Sequence, residues 1–366
     1  MNETATPVEQ PLFPPPPPPR RRLPAGMVAG ATACVAVIAL TGALLATGAF
    51  GSRTTTIVRT APATGLDAAA LYASANPGVV DITSHLPAST ATGTGMVIDP
   101  KGDILTADHV VAGAGSVTVT LPGGINRKAT VLGGDAATDV AVIKIDPAGL
   151  TLHPLALGSL GTHRVGDPVA VIGDPFDVQR SLSTGVISGL DRTISGLNGY
   201  SIPHALQTDA AMNPGNSGGP VFDASGHVIG IADQIATGGG SDSSTGVGFA
   251  VPIEIAKDEL SQLETGSVPA HADLGIGASD AIGANGATGA QVGEVKANGP
   301  AAQAGVRVGD VITGIGDQKV TSVETLIGAT AALQPGDTTT LTVQRNGHTQ
   351  TLRITLGKQP TAVTSR

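Results

Sequence analysis

Short runs of hydrophobic and β-branched residues, several of them alternating with polar positions, recur along most of the chain. Clusters of Gly, Pro and Asp separate the runs, and a period of two over so few residues is typical of half-buried strands. The clearest runs are Gly93–Ile98, Ser116–Leu121, Asp139–Ile145, Pro168–Gly173, Gly226–Ile231 and Val247–Pro252. Regular short strands of this kind predict a barrel or sandwich of about 200 residues.

A second unit follows the strand-rich part. Ile253–Glu264 predicts a helix that closes the first unit, and Thr265–Asp273 interrupts the pattern. From there to about Gly357, strand-like runs alternate with helical stretches at Pro300–Ala304 and Ser322–Leu333. This order of elements predicts an α+β domain.

The longest apolar stretch lies near the start of the chain. Residues 23–52 carry no charge, and the stretch exceeds the roughly 20 residues that a helix needs to cross a bilayer. Because residues 20–22 are all Arg, the N-terminus is expected to be cytoplasmic and the chain after about residue 53 extracytoplasmic. A cleaved signal peptide is the alternative, since residues 47–49 are small, but its apolar core would span only about 7–15 residues. The length of the apolar stretch therefore favours a membrane anchor over a cleaved signal peptide.

The amino-acid composition narrows the choice of structural class and of ligand. With 51 Gly, 26 Pro, five Phe, two Tyr and no Trp, the chain is suited to short strands joined by turns rather than to long helices. The formal net charge of −9 provides no basic surface for phosphates, which argues against nucleic-acid binding. Cys34 is the single cysteine and lies in the apolar stretch, so we expect neither a disulfide nor a cysteine-based metal site in the folded domains.

The sharpest local motif is a serine between glycines. In Gly215–Pro220, Ser217 stands in a Gly-rich turn directly before a predicted strand. Such a turn can expose the serine Oγ and leave backbone N–H groups free, as an oxyanion hole requires. An ordinary glycine-rich turn is the alternative, so the assignment depends on whether a base is present.

A base and a carboxylate that could orient it occur earlier in the chain. His109 ends a predicted strand, and Asp139 opens the most apolar one, where a buried carboxylate needs a partner such as an imidazole N–H. The order His109, Asp139, Ser217 is that of the chymotrypsin-type barrels, not that of the α/β-hydrolases or the subtilisins.

Three segments resemble the catalytic blocks of the HtrA (Deg) serine proteases: Asp103–Val111, Thr138–Lys144 and Gly215–Pro220. The resemblance implies a mainly β chain with a chymotrypsin-like double β-barrel protease domain, an α+β PDZ domain after it and one transmembrane helix before it. The expected boundaries are a cytoplasmic Pro-rich tail at 1–22, the transmembrane helix at 23–52, a linker at 53–66, the protease domain at 67–265, the PDZ domain at 270–358 and a C-terminal tail at 359–366.

The resemblance also implies peptide-bond hydrolysis through an acyl-enzyme. His109 would take the proton of Ser217, Asp139 would fix the imidazole tautomer, and the N–H groups of Gly215 and Ser217 would form the oxyanion hole. This mechanism calls for no metal ion and no other cofactor.

The resemblance implies that Ala211 and Met212 shape the pocket for the residue before the scissile bond. Neither is charged, so small or medium aliphatic side chains should fit. Asp209 is the alternative pocket floor and would demand Lys or Arg, but it lies two positions too early for that role.

In the second unit, Leu274, Gly275 and Ile276 match the PDZ loop that offers backbone N–H groups to a peptide carboxylate. The resemblance thus implies unfolded or damaged proteins as substrates, peptide C-termini as PDZ ligands, and assembly as a homotrimer. A non-proteolytic chaperone or scaffold that uses the PDZ groove is the alternative function.

Two residues depart from the family pattern. Asp108 stands where the family has a small residue, and a carboxylate there would raise the pKa of His109 or strain the site. Asp174 replaces a commoner Asn in a turn, where the two residues serve similar roles. Separately, residues 236–246 are rich in Gly and Ser, which are costly to order, so this segment is either a loop that orders on activation or a passive surface loop.

Overall fold

The computed structural model describes residues 65–174, 180–196, 200–235, 246–282 and 288–360. The predicted transmembrane helix, the Pro-rich tail and most of the linker after the helix lie outside these ranges. Residues 236–245 of the Gly- and Ser-rich segment and the chain after residue 360 lie outside them as well. In the described part of the chain, no helix is both long and apolar enough to cross a bilayer.

The first half of the described chain forms a closed antiparallel barrel. Its strands are β1 (Val79–His85), β2 (Thr90–Val97), β3 (Asp103–Thr106), β4 (Ser116–Leu121), β5 (Ile125–Asp135) and β6 (Val140–Ile145). They are hydrogen-bonded in the order β1-β2-β3-β6-β5-β4, and β4 returns to pair with β1. Alternate side chains point inward, as in β4, where Val117, Val119 and Leu121 are buried.

A second closed barrel follows. Its strands are β7 (Pro168–Gly173), β8 (Ser181–Ser195), β9 (Ser201–Thr208), β10 (Pro220–Phe222), β11 (Val228–Ile235) and β12 (Gly248–Pro252). They are arranged in the order β10-β11-β12-β9-β8-β7, and β7 pairs with β10. The register between β8 and β9 shifts repeatedly, and such irregularities bend a long strand around a barrel.

In the described ranges, three α-helices accompany the two barrels. Helix α1 (Ala68–Ala75) begins at Asp67, whose carboxylate accepts a hydrogen bond from the first turn. Helix α2 (Asp108–Val111) is a single turn after β3, and helix α3 (Ile253–Leu263) continues directly from β12. The buried face of α3 packs into a core to which both barrels contribute. This core includes Val79, Met96, Ile172, Phe222, Val251 and Leu263.

The C-terminal unit has its own sheet and core. Strands β14 (Ile276–Ile282), β15 (Thr288–Val295), β16 (Val311–Ile315), β18 (Thr338–Arg345) and β19 (His348–Thr355) pair in that order, β17 (Gln318–Lys319) pairs with β16, and β13 (Ala272–Asp273) pairs with β20 (Gly357–Lys358). Two helices accompany them, α4 (Pro300–Gln303) and α5 (Val323–Ala331). The α5 helix begins with a capping box between Ser322 and Thr325, which satisfies N–H groups at its start.

The hydrophobic pattern located half of the twelve described barrel strands and missed both buried strands, such as β1 and β9, and more exposed ones. The named runs correspond to β2, β4, β6, β7, β11 and β12, and the predicted helix Ile253–Glu264 is Ile253–Leu263. Strands β5 and β8 are largely exposed or only half buried along their length. Backbone pairing with neighbouring strands therefore holds them, and hydrophobic periodicity does not report that pairing.

A buried ion pair joins two neighbouring strands of the C-terminal sheet, β16 and β18, at the same end. Asp310, before β16, is 1% exposed, and its carboxylate accepts hydrogen bonds from Nε and Nη2 of Arg345, both at 2.7 Å. The Arg307 N–H is a third donor. Burial alone would raise the pKa of Asp310, but these hydrogen bonds hold it below its usual value.

We expect Arg345→Met to destabilise the C-terminal unit by about 3 kcal/mol, because it leaves the Asp310 carboxylate buried without its cation. Arg345→Lys should recover only part of this loss, since lysine lacks the planar fork. Urea denaturation followed by circular dichroism measures both. The control is Arg164→Met. The Arg164 side chain is 87% exposed, and its ion pair with Asp167 should contribute about 1 kcal/mol or less to the free energy of unfolding. Equal losses at both sites would contradict the prediction.

Candidate active site

His109 and Asp139 form a directly bonded pair. His109 lies in α2, one turn beyond the end of β3. Its Nδ1 is 2.5 Å from Oδ2 of Asp139, and its backbone N–H donates to Oδ1 of the same carboxylate at 2.8 Å. The Asp139 side chain is 2% exposed and the imidazole 18%. This arrangement places the Nδ1 proton against the carboxylate and leaves Nε2 as the basic nitrogen.

The backbone of Asp139 is unusual. This residue directly precedes β6 and has φ 58°, a left-handed conformation that non-glycine residues rarely adopt. Its carbonyl accepts the Asp108 N–H at 3.2 Å, which ties it to the helix that carries the imidazole. The preceding residue is also held, because the Thr138 hydroxyl donates to Glu259 of α3 at 2.9 Å. Contacts on both sides thus maintain a conformation that costs free energy.

Ser217 lies in a tight turn before β10. Gly215 and Gly218 have φ values of 103° and 83°, which a side chain would make costly. The N–H groups of Asn216, Gly218 and Gly219 donate to backbone carbonyls. Across the described ranges, the N–H groups of Gly215 and Ser217 have no such acceptor. Two backbone donors on either side of Asn216 are therefore available to an anionic oxygen.

Two threonines of the first barrel hold this turn of the second barrel. The Thr94 N–H donates to the Ser217 carbonyl at 2.8 Å, and the Thr94 hydroxyl donates to the Gly215 carbonyl at 2.6 Å. The Thr106 hydroxyl donates in turn to the Thr94 carbonyl at 2.7 Å. A Cβ on Gly218 would collide with both threonines, so only glycine permits this approach. No motif in the sequence marks Thr94, because the turn that it binds lies more than a hundred residues away.

The Ser217 hydroxyl donates to the main-chain carbonyl of Asp233 in β11, at 3.1 Å. Among the hydrogen bonds of the described residues, none joins Ser217 to His109. The two residues therefore share one seam between the barrels without a direct bond, and a rotation about the serine Cα–Cβ bond would redirect the hydroxyl. Apo active sites commonly show such long or misaligned catalytic contacts.

Asp233 is a functional candidate that sequence analysis missed. It is 3% exposed, and its carboxyl oxygens accept no hydrogen bond from the described residues. One of these oxygens, a carboxylate oxygen of Asp139 and a ring nitrogen of His109 lie within 4.8 Å of one another. Burial, followed by the charge of Asp139, raises the pKa of Asp233 to about 8. In the sequence, Asp233 is marked only as a carboxyl residue that follows the apolar run Gly226–Ile231.

Asp108 is the second carboxyl beside the pair. It is 8% exposed, and burial, followed by the charges of Asp139 and Asp135, raises its pKa to about 6. Burial would lower the pKa of His109, but the hydrogen bond and charge of Asp139, with smaller contributions from Asp233 and Asp108, raise it overall. The imidazole is thus surrounded by carboxyl groups that favour its protonated form.

The residues expected to shape the substrate pocket differ in burial. Met212 is 2% exposed, and its side chain packs against Gly248 of β12, where a Cβ would collide with it. Ala211 is exposed. Asp209 is also exposed, and its carboxylate accepts a hydrogen bond from the Val186 N–H of β8 at 2.7 Å. The carboxylate is therefore engaged with the backbone of another strand.

In the C-terminal unit, Leu274, Gly275 and Ile276 lead into β14. Leu274 is buried, and Gly275 has φ 72°, which suits glycine alone. The Gly275 N–H donates to Oδ1 of Asp273 at 2.9 Å, so a peptide carboxylate would have to replace that acceptor. The segment opens onto a cavity of about 950 Å³ between β14 and α5. Its walls in this unit include Leu274, Ile276, Ala278, Val323, Leu326 and Ile327.

The second barrel forms the opposite side of this cavity. Pro203 and His204 of β9 line it together with α5, and the Thr193 N–H of β8 donates to Glu324 of α5 at 2.7 Å. The Tyr200 hydroxyl donates to the Pro360 carbonyl, near the end of the described chain. The cavity is therefore bounded by both units.

Comparison with protein families finds two matches that follow the two structural units. The model of the trypsin-like peptidase domain matches residues 93–231, and the model of the PDZ domain matches residues 272–356. The first match contains all three residues of the predicted triad, and the second contains Leu274–Ile276.

Curated and solved relatives agree with these matches. A probable periplasmic serine endoprotease, DegP-like, of Halomonas elongata is 37% identical over 283 residues, which is 75% of this chain and 58% of the relative. The serine protease PepD of Mycobacterium tuberculosis is 35% identical over 302 residues, 77% of this chain and 64% of that relative. The chain thus spans less than two thirds of the length of these two relatives.

Among solved structures, the HtrA-type protease AlgW with a tripeptide superimposes with a TM-score of 0.68 at 33% identity, covering 80% of this chain and 97% of that one. The serine endoprotease of Yersinia pestis gives a TM-score of 0.61 at 30% identity. Sequence, domain order and fold therefore lead to one conclusion: the chain belongs to the HtrA-type serine proteases, with one trypsin-like peptidase domain followed by one PDZ domain.

Proposed function

We propose that the protein is a serine endopeptidase that cleaves unfolded or damaged proteins outside the cytoplasm. The observation that carries the proposal is the His109–Asp139 pair, which lies across the barrel seam from a Ser217 turn with two available N–H donors. The names of the relatives, which are serine proteases or endoproteases, agree with this chemistry.

In the first step, the Ser217 hydroxyl leaves the Asp233 carbonyl and turns toward Nε2 of His109. The imidazole takes the hydroxyl proton as Oγ attacks the scissile carbonyl, and Asp139 stabilises the imidazolium that forms. The Gly215 and Ser217 N–H groups stabilise the oxyanion. His109 then gives its proton to the leaving amine, and water hydrolyses the acyl-enzyme by the same steps in reverse.

We assign substrate specificity to a pocket in the protease domain and substrate recruitment to a groove in the PDZ domain. Ala211 and Met212 carry no charge, so we assign them to a pocket for small or medium aliphatic side chains. The apolar groove between β14 and α5 would take a peptide C-terminus as an added strand, with its carboxylate near Leu274–Ile276. We further propose that residues 23–52 anchor the chain in the membrane and that the protease assembles as a homotrimer, as the family resemblance implies.

The first prediction tests the triad. Ser217→Ala, His109→Ala and Asp139→Ala should each lower kcat/KM for casein by about 10⁴-fold or more, and double variants should lose little further, because the three act as a unit. The assay uses the full chain in detergent, with the exposed Ser225→Ala as the control that keeps full activity. A wild-type chain that prevents aggregation without cleaving casein would instead support the chaperone function.

The second prediction concerns Asp108. Its carboxylate is ionised above about pH 6 and favours the imidazolium form of His109, which must be neutral to act as a base. Asp108→Asn should therefore lower the pKa of His109 and move the acidic limb of the kcat/KM profile to lower pH. The exposed Asp146→Asn is the control. A profile that does not move would show that Asp108 exerts no influence on the imidazole.

The third prediction concerns Asp233. In the unfolded chain this carboxyl ionises near pH 4, whereas in the folded chain it keeps its proton to about pH 8. The unfolded state therefore binds fewer protons over this range, and Asp233 increasingly destabilises the fold as the pH rises from about 4 to 8.

Asp233→Asn should thus raise Tm by an amount that grows between pH 4 and 8 and is constant above that range. Calorimetry in the Ser217→Ala background, which excludes self-cleavage, measures the effect. The control is Asp317→Asn, which should show no such growth, because the Asp317 side chain is exposed and no hydrogen bond or ion pair of the described residues involves it. A difference in Tm that is equal at all pH values would contradict the assignment.

A further inference from the structure

A second cluster of ionisable side chains lies away from Ser217, where the chain passes from the barrels to the PDZ domain. Ligand atoms of Asp135, Glu259 and His271 lie within 4.8 Å of one another. These residues come from the end of β5, from α3 and from the segment just before β13. They therefore meet only because residues 264–271, which join α3 to β13 and are called the PDZ linker below, fold back onto the first barrel.

The cluster contains two carboxyl groups and one imidazole. Asp135 is 3% exposed and Glu259 is 6% exposed. Nε2 of His271 is 2.5 Å from Oδ2 of Asp135. Within the described ranges, no Lys or Arg forms an ion pair with either carboxylate. One imidazole thus faces two buried carboxyl groups, which are costly to ionise together unless a proton or a further cation neutralises one of them.

A cavity of about 130 Å³ adjoins the cluster and is lined by Asp135, His271 and Asp108. Although Asp108 is only 8% exposed, its carboxyl accepts no hydrogen bond from the described residues. Its Oδ1 packs against Gly134, immediately beside Asp135, where a Cβ would collide with it. An unpartnered buried carboxyl therefore borders the same space, which is large enough for water molecules.

We propose that Asp135, Glu259 and His271 bind one Zn²⁺ ion that joins the PDZ linker to the strand leading into Asp139. One imidazole and two carboxylates are a donor set that zinc accepts, with water in a fourth position. The imidazole makes the site less suitable for Ca²⁺ and Mg²⁺, which prefer oxygen ligands. The ion replaces the hydrogen bond between His271 and Asp135, takes the place of the protons that the cluster holds without it, and balances the charge of the two carboxylates.

Zinc titration of the chelator-treated Ser217→Ala chain by calorimetry tests the proposal. We expect one ion per chain, and Asp135→Asn, Glu259→Gln and His271→Gln should each weaken binding at least about tenfold. Zn²⁺ at 100 times its Kd should raise Tm by about 5 °C, and the three variants should lose this increase. Asp258→Asn is the matched control, because it is the exposed neighbour of Glu259 on the same helix.

A second measurement keeps Asp135, Glu259 and His271 intact. It follows the visible absorption of Co²⁺ bound in place of Zn²⁺. This measurement keeps the test valid if a variant fails to fold, which circular dichroism reports. The proposal is overturned if no ion binds, if all three variants keep full affinity, or if Ca²⁺ binds more tightly than Zn²⁺. Loss of binding in His109→Ala would also overturn it, because the ion would then belong to the triad.

Discussion

The arrangement of the proposed triad depends on how one threonine joins the two barrels. His109 and Asp139 belong to the first barrel and Ser217 to the second, so no single sheet sets their separation. Thr94 makes the connection through its N–H and its hydroxyl, which bind the carbonyls of Ser217 and Gly215. These bonds are buried, and a displaced turn would leave polar groups unsatisfied at about 1–3 kcal/mol each. The seam therefore positions the nucleophile without a direct bond to the base.

Buried carboxyl groups lie at this seam and at the junction of α3 with the first barrel. The pKa of Asp108 is raised to about 6, and those of Asp233 and Glu259 to about 8, in each case mainly by burial and then by a neighbouring carboxylate. Membership of the HtrA-type proteases accounts for Asp139, but the chemistry of the other carboxyl groups must be argued from their own surroundings. Each stores electrostatic free energy that a proton or a cation can relieve.

The same region connects the two domains. Thr138, directly before Asp139, binds Glu259, and Asp135 on the same turn binds His271 of the PDZ linker. The backbone that aims the proposed catalytic carboxylate is therefore also the backbone that the linker contacts. The turn between β5 and β6 serves both roles, because Asp135 and Thr138 contact the linker and α3 while Asp139 contacts His109.

The sequence by itself determined the strand-rich first unit, the α+β second unit, the glycine turn at Ser217 and the order of His109, Asp139 and Ser217. These features follow from local periodicity, from backbone freedom at glycine and from motifs within a few residues. Only the tertiary structure decided the placement of Thr94 and Asp233 at the nucleophile. It also brought Asp135 together with residues from α3 and the linker. Barrel closure and the returning linker create these contacts, and a pattern read along the chain indicates which residues are buried but not which segments meet.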